Sequence, residues 1–180
     1  MIKSYSSEAL VLLRRNYSEA DRILTVYSSG YGKLSLLAKG VRKLRSRKRS
    51  SVEVFTLIKF SASKSKGMDI MTEAQTVTSY QNVRSDLKKV AVAYFFCETL
   101  EKVMPPNEEN NAIFQITKSY FEELGKSSKL KTLRYNFISD VLVQLGFWPF
   151  GKKIPDPDRV LEQVVEKKMN SRKVGKKLLS

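Results

Sequence analysis

The sequence has 180 residues, with 33 lysines and arginines against 18 aspartates and glutamates, and therefore a formal net charge of +15. It has no histidine and one cysteine, which excludes a Ser-His-Asp triad, a Cys-His dyad, an internal disulfide and a zinc site built from several thiolates. Hydrophobic residues make up 42% of the chain, and this globular composition argues against intrinsic disorder.

So large an excess of positive charge suggests an anionic partner. A basic surface is the electrostatic signature of nucleic-acid binding, since each lysine or arginine that meets a phosphate releases condensed counterions. An anionic membrane surface and an effect on solubility alone are the alternatives. The most apolar run, residues 90–97, is too short to span a bilayer, and the first ten residues are no secretory signal. We therefore expect a cytoplasmic protein that does not enter the membrane.

The first 80 residues have the pattern of five short strands with turn signals between them. In the fourth strand, Val52, Val54, Thr56, Ile58 and Phe60 alternate with other residues and are expected to share one face. No crossover helix fits between the runs, so a parallel βαβ sheet is not expected. The pattern favours a small barrel or sandwich. The predicted strands cover residues 7–14, 22–27, 33–39, 52–60 and 69–80.

After residue 83 the apolar residues recur with a period of 3.6, which predicts helices. A long helix up to Val103 is apolar on almost all sides, so we expect it to be buried. Pro105 and Pro106 end this helix.

Three further helices follow in the pattern. Two of them end at Gly125 and Gly146, which are expected to follow the last helical turn. Asp156 and Pro157 predict the start of the last, with Val160, Leu161, Val164 and Val165 facing inward. Residues 167–177 hold six basic side chains and are expected to fray.

The densest feature is the segment KGVRKLRSRKR, residues 39–49, which we call the basic loop. Like charges this close repel, so we expect the loop to be extended and mobile until a polyanion binds. Arginine guanidinium groups fit phosphate oxygens in bidentate geometry, while lysines supply point charges. A solvated surface loop and a localisation signal remain alternatives. Its basic residues are Lys39, Arg42, Lys43, Arg45, Arg47, Lys48 and Arg49.

A five-stranded barrel with a basic loop is typical of an OB-fold. OB-folds bind single strands in a positive groove, with aromatic side chains as stacking platforms. Most aromatic residues in a small barrel belong to its core, so we expect one or two candidates at most to touch bases. Tyr31 is favoured because the glycines on either side of it form a turn that exposes it. The candidates are Tyr5, Tyr17, Tyr27, Tyr31 and Phe60.

No arrangement of residues predicts catalysis, a bound metal or a cofactor. The glycines form neither GxxxxGKS nor GxGxxG, so no phosphate-binding loop of those kinds is expected. Asp156 and Asp158 resemble half of a metal pair, but a helix cap is the favoured interpretation. Cys97 lies in the apolar helix and is expected to be a buried small hydrophobic residue.

Several segments of the first 80 residues form a series with a distinctive order and spacing: YSEADRI (17–23), GKL (32–34), AKG (38–40) followed by basic residues, VEVFTLIKF (52–60) and MTEAQTV (71–77). In this order and spacing they resemble the bacterial recombination mediator family RecO. The helical half matches more loosely, through the long apolar helix and LGF at residues 145–147. The resemblance covers about residues 1–150.

The resemblance implies an OB-fold, a helical domain, binding of single- and double-stranded DNA, and annealing of complementary strands. It also implies two protein partners, RecR and the acidic C-terminal tail of the single-strand-binding protein, with loading of RecA at the nucleoid as the outcome. We add Lys48, Arg49 and Tyr31 to the DNA-contacting residues from the loop and turn patterns. By position, the resemblance assigns phosphate contacts to Arg14, Arg15, Lys33, Lys39, Arg42, Lys43, Arg45 and Arg47.

The chain departs from the family pattern after the third predicted long helix. Many relatives carry a Cys-rich zinc module there, whereas residues 146–155 are GFWPFGKKIP and contain no cysteine. We therefore expect a short member that lacks the zinc module.

The sequence thus predicts an α+β protein, with a five-stranded OB-fold barrel over residues 1–80. An all-helical domain with a basic C-terminal tail is expected over residues 81–180. The expected function is a non-catalytic, DNA-binding and strand-annealing mediator of recombinational repair. Two alternatives stay open: an OB-fold RNA-binding factor of translation or ribosome assembly, and an adaptor whose basic surface meets an acidic protein.

Overall fold

The computed structural model describes residues 4–165. Within this range the chain forms five strands and then five helices. The strands are β1 (Ser4–Asn16), β2 (Arg22–Ser28), β3 (Gly32–Ala38), β4 (Leu57–Ser63) and β5 (Asp69–Thr78). The helices are α1 (Gln81–Arg84), α2 (Leu87–Val103), α3 (Asn111–Lys126), α4 (Leu130–Gln144) and α5 (Pro157–Val165).

The five strands close into a barrel in the order β1-β2-β3-β5-β4. Neighbouring strands are antiparallel except β3 and β5, which run parallel and pair Leu36 with Asp69 and Leu37 with Ile70. The antiparallel strand β4 lies between β3 and β5 in sequence. A five-stranded barrel with this connectivity is an OB-fold, so the predicted fold class is confirmed.

The barrel interior is filled by alternate residues of the strands, as the two-residue period of a strand requires. Leu24 and Val26 of β2 face Leu36 and Leu34 of β3 across the ladder, and all four are buried. This alternation turns the intervening residues of each strand outward.

The predicted fourth strand begins too early. Ser50–Val52 form a 3₁₀ turn, and Phe55 has a φ of 61°, so regular β pairing begins only at Leu57. Val52 is buried in the barrel core from this turn, whereas Ile58 and Phe60 enter the core from β4. The alternation of Val52 and Val54 with the later residues is therefore not a strand signal.

The chain separates into two compact units. The first unit contains Met1–Ser79 together with Met104–Asn111, and the second contains Tyr80–Val103 together with the residues from Ala112 onward. The predicted boundary near residue 80 did not include the return of Met104–Asn111 to the unit of the barrel.

The second unit has an aromatic core. The ring of Phe96 in α2 lies 4.1 Å from Phe137 in α4 and 5.7 Å from Phe121 in α3, between ring centroids. Cys97 is also fully buried, and this burial raises the pKa of its thiol. Both observations confirm that the apolar helix α2 is buried and that Cys97 packs as a small hydrophobic residue.

Two of the three helix boundaries that were predicted from glycine and capping residues are confirmed. Gly146 follows α4 with a φ of 78°, and the Asp156 carboxylate accepts a hydrogen bond from the Arg159 amide at 3.1 Å, which caps α5. Gly125 is not a terminal residue, because α3 continues to Lys126.

Leu161 is the fully buried residue of α5. Val160, Val164 and Val165, which were also expected to face inward, are only partly buried. The predicted fraying of residues 167–177 lies outside the described residues.

Candidate nucleic-acid interface

The basic loop is a series of tight turns and is not extended. The amide of Lys43 donates to the Gly40 carbonyl at 3.2 Å, that of Ser46 to Lys43 at 3.0 Å, and that of Arg49 to Ser46 at 3.3 Å. The prediction of an extended loop is therefore wrong.

Two buried valines explain why the loop is compact. Val41 near its start and Val52 just beyond its end are both inaccessible to solvent and belong to the barrel core. Burying a valine contributes about 1.5–3 kcal/mol. Repulsion between solvated cations is screened by water and salt, so the two apolar anchors outweigh it.

Hydrogen bonds hold the loop at both ends. At its start, the Gly40 amide donates to Asp21 Oδ1 at 2.8 Å, and the Arg42 guanidinium donates to the Ser18 carbonyl at 2.7 Å. At its end, Lys48 Nζ donates to the carbonyls of Met71 and Thr72, each at 3.3 Å. The loop is thus attached to the β1–β2 turn and to the edge of β5.

Most of the loop's cations project into solvent. Arg42 and Lys48 use their side chains to attach the loop, but the other five make neither an ion pair nor a side-chain hydrogen bond within residues 4–165. A phosphate could therefore bind these side chains without displacing a partner from them. The five exposed cations are Lys39, Lys43, Arg45, Arg47 and Arg49.

Arg14 and Arg15 lie at the end of β1. Arg14 Nε is 3.0 Å from Glu53 Oε2, and Arg22, which was not among the predicted site residues, is 3.0 Å from Glu53 Oε1 through its Nη1. Glu53 partly neutralises Arg14 and Arg22, whereas Arg15 is exposed and makes no ion pair within residues 4–165. Of the predicted pair, Arg15 is therefore the more available for a phosphate.

Lys33 and Tyr31 lie away from the basic loop. Lys33 is near the start of β3 and Lys39 follows its end, so about 20 Å of strand separates them. The predicted residues thus fall into two groups along β3, and Lys33 does not join the loop.

Tyr31 is 39% exposed and is supported from below by another ring. Its centroid lies 4.6 Å from that of Tyr5, whose hydroxyl donates to Asp69 Oδ2 at 2.8 Å. Lys64 Nζ lies 3.2 Å from the same carboxylate oxygen and 4.8 Å from the Tyr5 ring centroid. These contacts hold Tyr5 in place as a rigid base for Tyr31.

The same cluster shifts two pKa values. Burial, followed by the hydrogen bond to Asp69, raises the pKa of the Tyr5 hydroxyl. Burial of Asp69 acts to raise its pKa, but the hydrogen bonds from Tyr5, Lys64 and the Ser65 amide together outweigh it and lower the value. Asp69 is thus a charged acceptor at neutral pH.

Two of the other aromatic candidates are not stacking platforms. Tyr27 and Phe60 are buried, with 0% and 2% of their surface exposed, so neither ring can receive a base. Tyr17, in the β1–β2 turn, is 64% exposed, so its ring is accessible to a base.

A surface groove of about 720 Å³ lies on the outer side of β1, β4 and β5. Lys59 lies on its floor, and Arg47 and Lys48 of the basic loop also line it. Lys59 was not among the predicted site residues, although its place between the apolar residues Ile58 and Phe60 in an alternating strand already indicates that it points outward. The remaining lining residues are Ser6, Ser7, Glu8, Phe60, Ser61, Thr72, Glu73, Ala74 and Gln75.

Residues 4–165 contain no group of three or more Cys, Asp or Glu side chains placed to hold a metal ion. In the same range, no helix is long and apolar enough to cross a membrane.

The fold and this surface define an OB-fold protein with a cationic loop fixed to its barrel. A family model described as the N-terminal part of recombination protein O matches residues 1–80, and one for its C-terminal part matches residues 84–150. The chain therefore belongs to the RecO family of DNA repair proteins.

Individual relatives agree with this assignment. The DNA repair protein RecO of Pelotomaculum thermopropionicum is 33% identical over 148 residues, which cover 82% of this chain and 57% of that relative. RecO of Dehalococcoides mccartyi strain 195 is 31% identical over 81% of this chain and 57% of its own length. The RecO protein of Geobacter metallireducens is 30% identical over 81% of this chain and 60% of its own length. The matched part of the chain thus spans somewhat more than half the length of these relatives.

Proposed function

We propose that this chain is a non-catalytic DNA-binding and strand-annealing mediator of recombinational repair, acting at the bacterial nucleoid in the cytoplasm. The observation that carries the proposal is the basic loop, which an OB-fold barrel holds in a fixed conformation with five unpaired cations facing solvent. A polyanion gains ion pairs there without first ordering the loop.

The mechanism requires only charge and position. Lysines and arginines on one surface neutralise phosphates of two strands at once, which lowers the repulsion between the strands and lets complementary bases pair. Contacts to phosphates carry no sequence information, so annealing on this surface would not depend on sequence. Pairing itself releases the free energy, and nucleotide hydrolysis is not needed.

The protein partners belong to the same proposal and rest on family membership. They are RecR and the acidic C-terminal tail of the single-strand-binding protein, with RecA loaded on the strand that is uncovered. The basic charge of the chain is compatible with an acidic tail, and we assign neither partner to particular residues.

The test removes charge from the loop and leaves its attachment intact. We would replace Lys43, Arg45, Arg47 and Arg49 with glutamine and keep Arg42 and Lys48, whose side chains hold the loop. If each cation meets one phosphate of a single strand, the slope of log affinity against log salt should fall by about 3. Annealing of complementary oligonucleotides coated with single-strand-binding protein should slow in parallel.

A matched control removes the same charge elsewhere. Lys88, Lys126, Lys131 and Lys152 are exposed residues of the second unit, and their replacement by glutamine should leave the slope nearly unchanged. An equal loss in both variants would mean that net charge, and not the loop, drives binding. Preference for structured RNA over single-stranded DNA would support an RNA-binding factor, and acidic-peptide binding without annealing would support an adaptor.

A further inference from the structure

OB-folds commonly bind oligonucleotides on the outer face of β2 and β3. In this chain, alternate residues of β2 and β3 enter the core, namely Leu24, Val26, Leu34 and Leu36. The residues between them form the outer face, and Lys33 is the one cation among them. The face is otherwise neutral or apolar, so it offers little attraction for phosphates. Its outward residues are Ile23, Thr25, Tyr27, Lys33, Ser35 and Leu37.

Met104–Asn111 also covers one end of that face. Pro106 pairs with Lys33 in a parallel bridge, and the amide of Asn107 donates to the Lys33 carbonyl at 2.9 Å. The hydroxyl of Tyr27 donates to the Asn110 carbonyl at 3.2 Å, and the ring is fully buried. Tyr27, the aromatic residue that could have served as a platform on β2, is therefore unavailable.

The groove on β1, β4 and β5 contains three cations, Arg47 and Lys48 from the basic loop and Lys59 from the middle of β4. Two carboxylates, Glu8 and Glu73, also line it, so its net charge of +1 equals that of the β2–β3 face. The groove differs from that face because its cations adjoin the exposed cations of the basic loop. The groove is thus continuous with the loop that carries the proposed function.

The floor of the groove is ordered by the strand register. Lys59 lies between Glu8 of β1 and Gln75 of β5, and Ser61 lies between Ser6 and Glu73. The hydroxyl oxygens of Ser6 and Ser61 are 2.8 Å apart. Polar side chains therefore form two adjacent rows across three strands.

We propose that this groove holds a segment of single-stranded DNA, with the phosphates toward Arg47 and Lys59 and the base edges toward Ser6, Ser61 and Glu73. Carboxylates repel phosphates but accept hydrogen bonds from the exocyclic amino groups of bases, so Glu73 fixes which side of the strand faces the floor. The inference rests on the proposed function, and it moves the binding path from β2–β3 to β1–β4–β5.

The test places the same negative charge on each face. Ser6 and Ser35 are both exposed strand serines, Ser6 in the groove and Ser35 on the outer face of β3. We expect Ser6→Glu to weaken binding of a single-stranded oligonucleotide about fivefold or more at low salt, because the longer side chain fills the space that a base edge would occupy and adds negative charge to the groove. Ser35→Glu should bind within about twofold of the unchanged protein. Circular dichroism and thermal unfolding of both variants exclude a folding defect.

The outcomes separate the two proposals. A larger loss for Ser35→Glu, equal losses in both variants, or no loss in Ser6→Glu would overturn the groove and leave the proposed function intact. Failure of the unchanged protein to bind DNA would overturn the proposed function itself. Lys59→Gln provides a second measurement, since it should also weaken binding about threefold and reduce the salt slope by about 1.

Discussion

At the scale of single residues, Asp69 connects its carboxylate charge to the neighbouring rings of Tyr5 and Tyr31. Its carboxylate accepts the hydroxyl of Tyr5, and the Tyr5 ring supports Tyr31. Because these contacts lower its pKa, Asp69 binds a proton less readily in the folded chain than in the unfolded one. The folded state therefore gains stability from Asp69 above the ordinary aspartate pKa, and loses it as the pH falls through the lowered value.

We predict that Asp69→Asn lowers the free energy of unfolding by about 1 kcal/mol at pH 7, and that this effect shrinks as the pH falls below the ordinary aspartate pKa and through the lowered value, where the carboxyl group of the folded protein takes up a proton. Urea unfolding of both proteins, at pH 7 and at a series of acidic pH values, measures the difference. Parallel stability curves for the two proteins across this range would show that Asp69 contributes nothing through its charge.

The sequence could not show this cluster. Tyr5 and Asp69 are 64 positions apart, and closure of the barrel brings them together. The exposure of Tyr31 could be predicted, because turn glycines flank it in the sequence. The supporting ring beneath it depends on the register in which Tyr5 of β1 pairs with Ala62 of β4.

At the scale of elements, the basic loop owes its conformation to the residues that are not basic. Val41, near the start of the loop, and Val52, three residues beyond its end, bury their side chains in the barrel. The composition of residues 39–49 alone predicted an extended chain, because composition cannot show that these two valines reach a core.

We predict that Val52→Ala destabilises the protein by about 2 kcal/mol and weakens DNA binding, although the net charge is unchanged. Thermal unfolding and oligonucleotide binding would be measured together. The control is Leu44→Ala in the same loop, where the side chain is 88% exposed and the expected change in stability is below about 0.5 kcal/mol. Unchanged DNA affinity in Val52→Ala, under conditions where this variant is folded, would show that DNA binding does not depend on the anchored position of the loop.

Regular elements were the most predictable from the sequence. β2 and α2 occur close to the predicted positions, because two-residue alternation and a long apolar run are direct consequences of packing on one or several sides. Residues 50–56 have an alternating sequence but run through turns, as the 3₁₀ turn at Ser50–Val52 and the positive φ of Phe55 show. The groove could not be predicted, since it depends on the register of three strands and on where the loop lies beside β5.

At the scale of the whole molecule, the chain returns to the barrel unit after α2. Met104–Asn111 passes so close to Gly32 that an added Cβ atom would lie 2.0 Å from the Glu108 carbonyl oxygen. Gly32 also has a φ of 64°, a conformation that side chains disfavour. Glycine is therefore required where a distant segment crosses the start of β3.

We predict that Gly32→Ala lowers the free energy of unfolding by more than about 3 kcal/mol, because it adds backbone strain to a clash with main-chain atoms. Gly30→Ala in the same turn is the matched control, since its Cβ would meet only Ser7 Oγ at 3.6 Å. Chemical denaturation of both variants measures the difference. Similar losses at the two positions would show that Met104–Asn111 can move away without cost.

The fixed basic loop should make the stability of the free protein depend on the salt concentration. Because the barrel holds the cations close together in the absence of any polyanion, mutual repulsion opposes folding of the free protein. Added salt should therefore raise the melting temperature of the free protein while it dissociates the complex with DNA. DNA should in turn raise the melting temperature most at low ionic strength, where both effects are largest. The nucleic acid would then be a structural counterion for the barrel as well as its proposed ligand.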